Sequence, residues 1–212
     1  MLAASDIIEG AYYAMEQAGL LINDAASLYA QRRWPSSLVL AVFAMEELGK
    51  AEMLLIRGID AGTSGDKTRT DVMQGSATHT TKLKAGRGTT TVTTAVSFWG
   101  DIPVPSTAEA TALEQQLRAA EQIALDHAPA QAHAARVRAL YVDLEQDERW
   151  ARPNETGPSE AYLMVSAASI EYRVRREKFV NPTDPTVQRV FQQVGARLPA
   201  LPVAPDVNWP NG

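Results

Sequence analysis

The sequence predicts an all-α fold, a helical bundle built on a long antiparallel hairpin of two N-terminal helices. Apolar residues recur at helical spacing from Ser5 to about Gln31, which is the pattern of a helix that buries one face. A second helix is predicted from Trp34 to about Arg57, where Gly58 follows. Because so few residues connect the two helices, they should pack antiparallel against each other.

Composition narrows the class of protein. The chain has 212 residues, 45% of them hydrophobic, which is enough for one domain of ordinary size. We expect this domain over residues 1–197 and a Pro-rich extended tail over 198–212. Cysteine is absent, so no disulfide framework and no thiolate metal ligand can form. No stretch is apolar enough for a membrane span and the N-terminus lacks the basic start of a signal peptide, which predicts a soluble, cytoplasmic protein.

The second helix carries a group of charges directly beside a core segment. Eight consecutive residues without polar side chains, Leu38 to Met45, lead into Glu46, Glu47 and Lys50. A helix that is apolar on all sides is buried, and a buried charge is costly unless it is paired. Lys50 can pair well with only one of the two acids at a time, so the other acid needs a partner on another helix. Asp24 of the first helix also needs a donor and is placed to meet Lys50 across the hairpin, so these groups form either a structural ion network or a functional site.

Capping and proline signals predict further helices downstream. Ser106 begins a third helix, which Pro129 interrupts and which resumes to Val142. Pro158 begins another helix and Asp184 a short last one. The stretches Gly58 to Gly75 and Trp150 to Asn154 are predicted to be loops. Residues 88–97 are rich in threonine but have no partner strand, so we interpret them as a weak helix or an irregular segment.

Basic residues are concentrated in two short stretches. The net charge of −5 argues against a general nucleic-acid coat, so any phosphate-binding surface has to be local. The first stretch contains Lys67, Arg69, His79, Lys82, Lys84 and Arg87, and the second contains Arg173, Arg175, Arg176 and Lys178. Each stretch is either such a surface or a solvated helix face.

His79 is the histidine with the most informative neighbour. It precedes Lys82 by three residues, so the two would share a face of a helix. A lysine can hold an anion while the neutral imidazole accepts a proton. Carboxylate-bridged di-iron bundles need Glu-x-x-His pairs, and no histidine of this chain has a glutamate three residues before it. We therefore predict no metal and no cofactor.

Several stretches together resemble a known family. They are Leu40 to Lys50, the His79-x-x-Lys82 pair, and Arg138-x-x-Tyr141-Val142-Asp143 with Trp150 and Pro153. This combination resembles the AbiV family of abortive-infection proteins, which belongs to the HEPN superfamily of helical domains. The resemblance covers roughly Asp24 to Pro153, and its most specific part is Glu46-Glu47-Leu48-Gly49-Lys50. It implies a HEPN-like helical bundle, a role in bacterial defence against phage, and dimerisation.

The resemblance also implies a set of site residues. Many HEPN proteins are metal-independent ribonucleases in which an arginine, followed after a short spacer by a histidine, steadies a phosphate while the histidine moves protons. No arginine precedes a histidine of this chain at that distance, so we expect a substitute cluster. Its catalytic residues would be Glu46, Glu47, Lys50, His79 and Lys82, its supporting residues Asp24, Arg138, Tyr141 and Asp143, and its RNA-binding residues Lys84 and Arg87.

Three hypotheses for the function follow. The first is a homodimeric anti-phage protein that acts on RNA or translation, as a metal-independent ribonuclease lacking the usual motif, with RNA as substrate and a phage protein as trigger. The second is a non-enzymatic helical adaptor, in which the Glu46, Glu47 and Lys50 charges only build the fold. The third is a metal-dependent enzyme, which would hold a bound metal.

Overall fold

The computed structural model of the protein describes residues 1–73, 82, 85, 131–141, 143–144, 150–151, 153–194 and 198–201. The predicted site residues His79, Lys84 and Arg87 lie outside this part of the chain, as do the Thr-rich residues 88–97 and the helix predicted from Ser106. Those predictions stay predictions.

The described part of the chain is predominantly helical, which confirms the predicted all-α fold. Its helices are α1 (Ala4–Ala30), α2 (Trp34–Ser64), α3 (Arg69–Met73), α4 (131–140), α5 (Pro158–Val180) and α6 (Pro185–Val194). Two residues of β1 (Asp143–Leu144) pair antiparallel with two of β2 (Trp150–Ala151), and a 3₁₀ turn follows over Pro153–Glu155. The prediction of a plain loop over Trp150 to Asn154 was therefore wrong.

The predicted hairpin of α1 and α2 is antiparallel and is closed at both ends. At the turn, the Ser37 hydroxyl donates to the backbone oxygen of Ala25 over 2.7 Å. At the open end, Leu2 and Lys67 form an isolated antiparallel bridge, with backbone bonds of 2.8 and 3.1 Å. Both helices are held in register by these end contacts and by the core between them.

The core lies where α5 packs against both helices of the hairpin. Its fully buried side chains come from all three helices, and the largest apolar ones are Ile8, Met15, Ile22, Leu38, Met45, Leu48 and Tyr172. The short helix α6 adds Val187, Val190 and Phe191 to the same cluster. Within the described residues, no helix is both long and apolar enough to cross a membrane.

The second helix is longer than predicted. It does not end at Arg57 but continues to Ser64, and Gly65 follows with a φ of 86°. Gly58 lies inside the helix because it faces α1: a Cβ there would lie 3.2 Å from the backbone nitrogen of Ile8 and closer still to its Cγ1. Gly58 is thus a close-approach residue, and the helix ends at the positive-φ glycine instead.

The predicted loop after Gly58 also contains α3, which was missed. Thr68 and Asp71 form a reciprocal capping arrangement, in which the Asp71 carboxylate accepts from the Thr68 backbone N–H over 3.0 Å and the Thr68 hydroxyl oxygen accepts from the Asp71 N–H over 3.1 Å. This is the capping-box pattern with aspartate in place of glutamate. Residues 198–201, the start of the predicted tail, lie against the bundle: Tyr172 donates to the Pro199 oxygen over 2.8 Å.

The basic stretch on α5 is not simply a solvated face. Arg175 is only 2% exposed and Glu171 is fully buried, and the two form an ion pair one helical turn apart. The Arg175 Nε lies 3.7 Å from Glu52 of α2, which also accepts from Lys178 over 3.1 Å. A network of four charges therefore fastens α5 to α2, with Arg175 and Glu171 buried and Lys178 at its exposed edge.

We expect Gly58→Ala to destabilise the protein although alanine is the better helix former. The added methyl group would overpack the contact with Ile8, which typically costs about 1–3 kcal/mol. Chemical denaturation monitored by circular dichroism measures the free energy of unfolding. Gly62→Ala is the matched control, since a Cβ there meets nothing within 4 Å, and it should be neutral or stabilising by up to about 1 kcal/mol. Equal effects of the two substitutions would contradict the close-approach role of Gly58.

Removing one partner of the α5 network should cost more than removing two. Arg175→Met leaves the buried Glu171 without its ion-pair partner, so we expect a loss of about 3–5 kcal/mol in unfolding free energy. The double variant Glu171→Leu with Arg175→Met should recover most of that loss, because a well-packed apolar pair replaces a buried ion pair at little cost. Arg138→Ala, which removes an exposed ion pair, should cost less than about 1 kcal/mol. Additive losses in the double variant would contradict this interpretation.

Candidate functional site

A buried ion pair joins the second helix to α4. The Arg136 Nη1 donates to the Glu46 Oε1 over 2.8 Å, and the two side chains are only 8% and 6% exposed. The pair connects residues 90 positions apart in the chain. Arg136 was not among the predicted site residues. It is the partner that holds the Glu46 carboxylate in the interior.

His133 extends this pair by a second contact. Its Nδ1 lies 2.9 Å from the Arg136 Nη2. A guanidinium group can only donate, so Nδ1 is the acceptor, and in the neutral imidazole the proton is then carried by Nε2. His133 is half-buried, so it is the member of the group that lies nearest to solvent.

Phe43 completes the environment of Arg136. The guanidinium carbon lies 5.2 Å from the centre of the Phe43 ring, which is a favourable cation–π distance. Phe43 and Glu46 are three residues apart on α2, and His133 and Arg136 are three apart on α4, so each pair occupies one helix face. We call Glu46, Arg136 and His133 the Glu46–Arg136–His133 cluster.

The two acids of the second helix have different partners. The Lys50 Nζ lies 3.0 Å from the Glu47 Oε2, and these side chains are 33% and 24% exposed. Glu46 is 5% exposed and turns to α4 instead. Lys50 therefore forms its intrahelical pair with Glu47, while the second acid reaches another helix as its spacing required.

Asp24 does not meet Lys50. It is exposed and lies beside Ala25 at the turn of the hairpin, level with Ser37. Lys50 is 13 residues further along α2, which at 1.5 Å per residue is roughly 20 Å. The expectation of an Asp24–Lys50 contact was wrong because the antiparallel register places the two at different heights.

Arg138 and Tyr141 also lie apart from the cluster. The Arg138 Nη2 is 3.4 Å from the Glu160 Oε1 of α5, with both side chains about half exposed, and Tyr141 is 61% exposed. Two residues along a helix correspond to about 200°, so Arg138 points away from Arg136. Asp143 belongs to β1. Lys82 is helical and half-buried, and its predicted pairing with His79 stays a prediction.

One sequence signal could have identified Arg136. The apolar residues Ala132, Ala135 and Ala139 mark the buried stripe of α4, and Arg136 follows Ala132 by one helical turn, on the same stripe. A cation at a core position requires an acid from another helix. Here the arginine follows the histidine by three residues, the reverse of the order that the family resemblance implies.

The cluster offers a charge, a hydrogen-bonded imidazole and a fixed geometry. Arg136 can hold His133 in one tautomer, and Glu46 holds Arg136 in place. Among the described residues, no three His, Asp or Glu side chains come together as metal ligands would.

The part of the chain that contains the cluster matches a known protein family. A model of the HEPN family AbiV matches residues 6–168, more than half of the chain's 212 residues, and this span contains α2, α4 and the cluster. No curated protein and no solved structure matches the chain. The helical bundle and this match together show that the chain belongs to the AbiV family of HEPN proteins.

Proposed function

We propose that this protein acts in bacterial abortive infection against phage, and that it acts on RNA through the Glu46–Arg136–His133 cluster. Membership of the AbiV family supports the role in defence. The contact between His133 and Arg136 supports the chemistry, because it brings together the two residue types that HEPN ribonucleases use. The order of the two residues along the chain is reversed, but a hydrogen-bonded pair depends on geometry and not on order.

His133 is the member of the cluster that would meet the substrate. The contact of its Nδ1 with Arg136 orients the ring, and Nε2 would be the nitrogen that exchanges a proton with the phosphodiester. Proton transfer by a positioned imidazole typically contributes a factor of about 10²–10⁴ to a rate. No metal is required for this step.

Arg136 and Glu46 would act as positioning residues. Arg136 is only 7% exposed. It would therefore orient His133 and supply positive charge from the buried, Nδ1 side of the imidazole. Lys50 lies one turn after Glu46 on the same face of α2 and its side chain is one-third exposed. Lys50 is therefore the cation of the predicted set that could contact a phosphate directly, with Glu47 holding it in place.

We further propose a homodimer and activation by a phage protein. HEPN sites are usually completed across a dimer, as the family resemblance implies. Leu140 at the end of α4, Tyr141 directly after it and Leu163 of α5 are 43–65% exposed, and large exposed apolar side chains are typical of contact surfaces. RNA and a phage protein are the other partners that this function requires.

A second candidate function is a non-enzymatic adaptor. It is favoured by the burial of Glu46 and Arg136, 5% and 7% exposed, because a buried ion pair between two helices can serve the fold alone. In that case the protein would act through its exposed surface, and His133 would only help to hold Arg136.

We expect His133→Ala to slow RNA cleavage strongly. Purified protein is incubated with total RNA in the presence of a chelator, and the wild type should cleave. The variant should be slower by about 100-fold or more, since it lacks the proton-transferring group. Glu46→Gln should lower kcat with little change in KM, because it disturbs the orientation of His133 through Arg136.

Arg138→Ala is the matched control, as Arg138 lies on the same helix but bonds Glu160 on another face. It should cleave like the wild type. Circular dichroism must show that each variant is folded. Full activity of folded His133→Ala would contradict the catalytic role, and absence of cleavage by the wild type under all conditions would favour the adaptor.

The same residues should matter in cells. We expect Lys50→Ala and His133→Ala to lose protection in a plaque assay, while Arg138→Ala keeps it. His79→Ala tests the predicted role of His79 independently. A folded His133→Ala protein that protects fully would exclude the cluster from the mechanism, and a folded Lys50→Ala protein that does so would exclude Lys50. Loss of protection only in exposed α4 and α5 variants such as Leu163→Ala would favour the adaptor.

A further inference from the structure

A cavity of about 790 Å³ opens between α1, α5 and α6. Its lining includes Tyr12, Arg176, Phe179, Phe191, Gln188 and Gln192. This volume lies within the range of about 300–1,000 Å³ that is usual for small-molecule sites. No member of the Glu46–Arg136–His133 cluster lines it, so the cavity is separate from the proposed RNA site.

The most informative group at this cavity is the Tyr12 hydroxyl. Tyr12 is 2% exposed, and within the described part of the chain its hydroxyl has no hydrogen-bond partner. A buried hydroxyl without a partner costs free energy, and such groups are rare unless a ligand or water serves them. The neighbouring Tyr172 differs, because its hydroxyl donates to Pro199 over 2.8 Å.

Arg176 supplies a second donor close by. Its Nε is buried and also lacks a hydrogen-bond partner among the described residues, and its charge influences both Tyr12 and Tyr172. Burial, and next the charge of Glu16, raises the pKa of Tyr12 to about 12 against the opposing effect of Arg176. The hydroxyl therefore keeps its proton at neutral pH. The Tyr12 hydroxyl and the Arg176 Nε are donors without an acceptor among the described residues, while the rest of the Arg176 guanidinium hydrogen-bonds Tyr172.

The rest of the lining suits a ring. Phe179 and Phe191 stack with centroids 5.3 Å apart, and Tyr12 meets Phe191 edge-on at 5.4 Å, which forms a buried aromatic wall. Gln188 and Gln192 are exposed at the rim, and side-chain amides both donate and accept. Two donors at the wall and two amides at the rim can fix the two ends of one molecule.

We propose that this cavity binds a small ring-bearing oxyanion of the nucleoside monophosphate type, with its phosphate at Tyr12 and Arg176 and its ring against the Phe179 and Phe191 wall. The phosphate oxygens supply the acceptors that the Tyr12 hydroxyl and the Arg176 Nε lack. The ring buries apolar area, and its polar edge meets the Gln188 and Gln192 amides. This site goes beyond the proposed RNA chemistry and does not depend on it.

Calorimetry with the full chain tests this proposal, with 5′-AMP, 5′-GMP, 5′-CMP and 5′-UMP as probes. At least one monophosphate should bind one-to-one at millimolar or lower concentration. Adenosine and inorganic phosphate, which each carry half of the recognised chemistry, should bind at least about tenfold more weakly. Arg176→Ala should weaken binding of the monophosphate by about tenfold or more, because it removes a charge-assisted hydrogen bond.

Tyr12→Phe separates a binding role from a structural one. It should weaken binding by about tenfold, since hydrogen bonds to charged groups are the stronger ones. In the absence of ligand it should raise the melting temperature by roughly 2–4 °C, because it removes a buried hydroxyl without a partner. Tyr13→Phe is the matched control, as Tyr13 is 49% exposed and bonds Glu9, and it should change neither quantity.

Other results of the binding experiment separate the monophosphate site from the RNA site. His133→Ala should bind the monophosphate normally even if it no longer cleaves RNA, so failure of one proposal is distinguishable from failure of the other. Absence of binding by every monophosphate, or unchanged affinity in both Tyr12→Phe and Arg176→Ala, would overturn the proposal. Equal binding of phosphate alone would reduce the site to a simple anion site and would also overturn it.

Discussion

The proposed site depends on one buried ion pair, between Glu46 of α2 and Arg136 of α4. The apolar half of α2 belongs in the core, and it carries Glu46 into the interior with it. An unpaired carboxylate there would cost several kcal/mol, so α4 has to deliver Arg136 to the same place. The partner helix is thereby fixed in position and rotation, and His133, one turn before Arg136, is fixed with it. The proposed site therefore arises because the buried Glu46 carboxylate needs a cationic partner.

The sequence predicted the hairpin because its signals are local. Helical spacing and a short connection are sufficient to predict two antiparallel helices, but the ends depend on tertiary contacts. Gly58 looked like a terminator, yet it lies inside α2 because Ile8 leaves no room for a side chain. Arg175 belongs to a stretch interpreted as either a phosphate-binding surface or a solvated helix face, yet Glu171 and Glu52 hold it in the interior. Both differences arise from partners distant in the chain.

The candidate site was also predicted only in part, because some of its contacts join residues distant in the chain. Glu46, Glu47 and Lys50 could be singled out because charges beside a core segment need partners, and spacing limited the choice for Lys50 to one acid. Which acid it was depends on Arg136, 90 residues away. The family resemblance indicates Arg138 and not Arg136, although the position of Arg138 on α4 points it to Glu160. A count of helical steps from Ala132 would have distinguished the two arginines.

The hairpin of α1 and α2, clasped at its turn by Ser37 and at its open end by the Leu2–Lys67 bridge, has a kinetic consequence. The contacts at its turn join residues close in the chain, so loop-closure entropy is small there and the hairpin should form early during folding, from the turn toward the open end. Glu46 would then lie on the surface of the formed hairpin, and its carboxylate would stay hydrated until α4 packs against it. The Glu46 carboxylate loses its water when α4 packs against the hairpin. The last step of folding therefore also assembles the site.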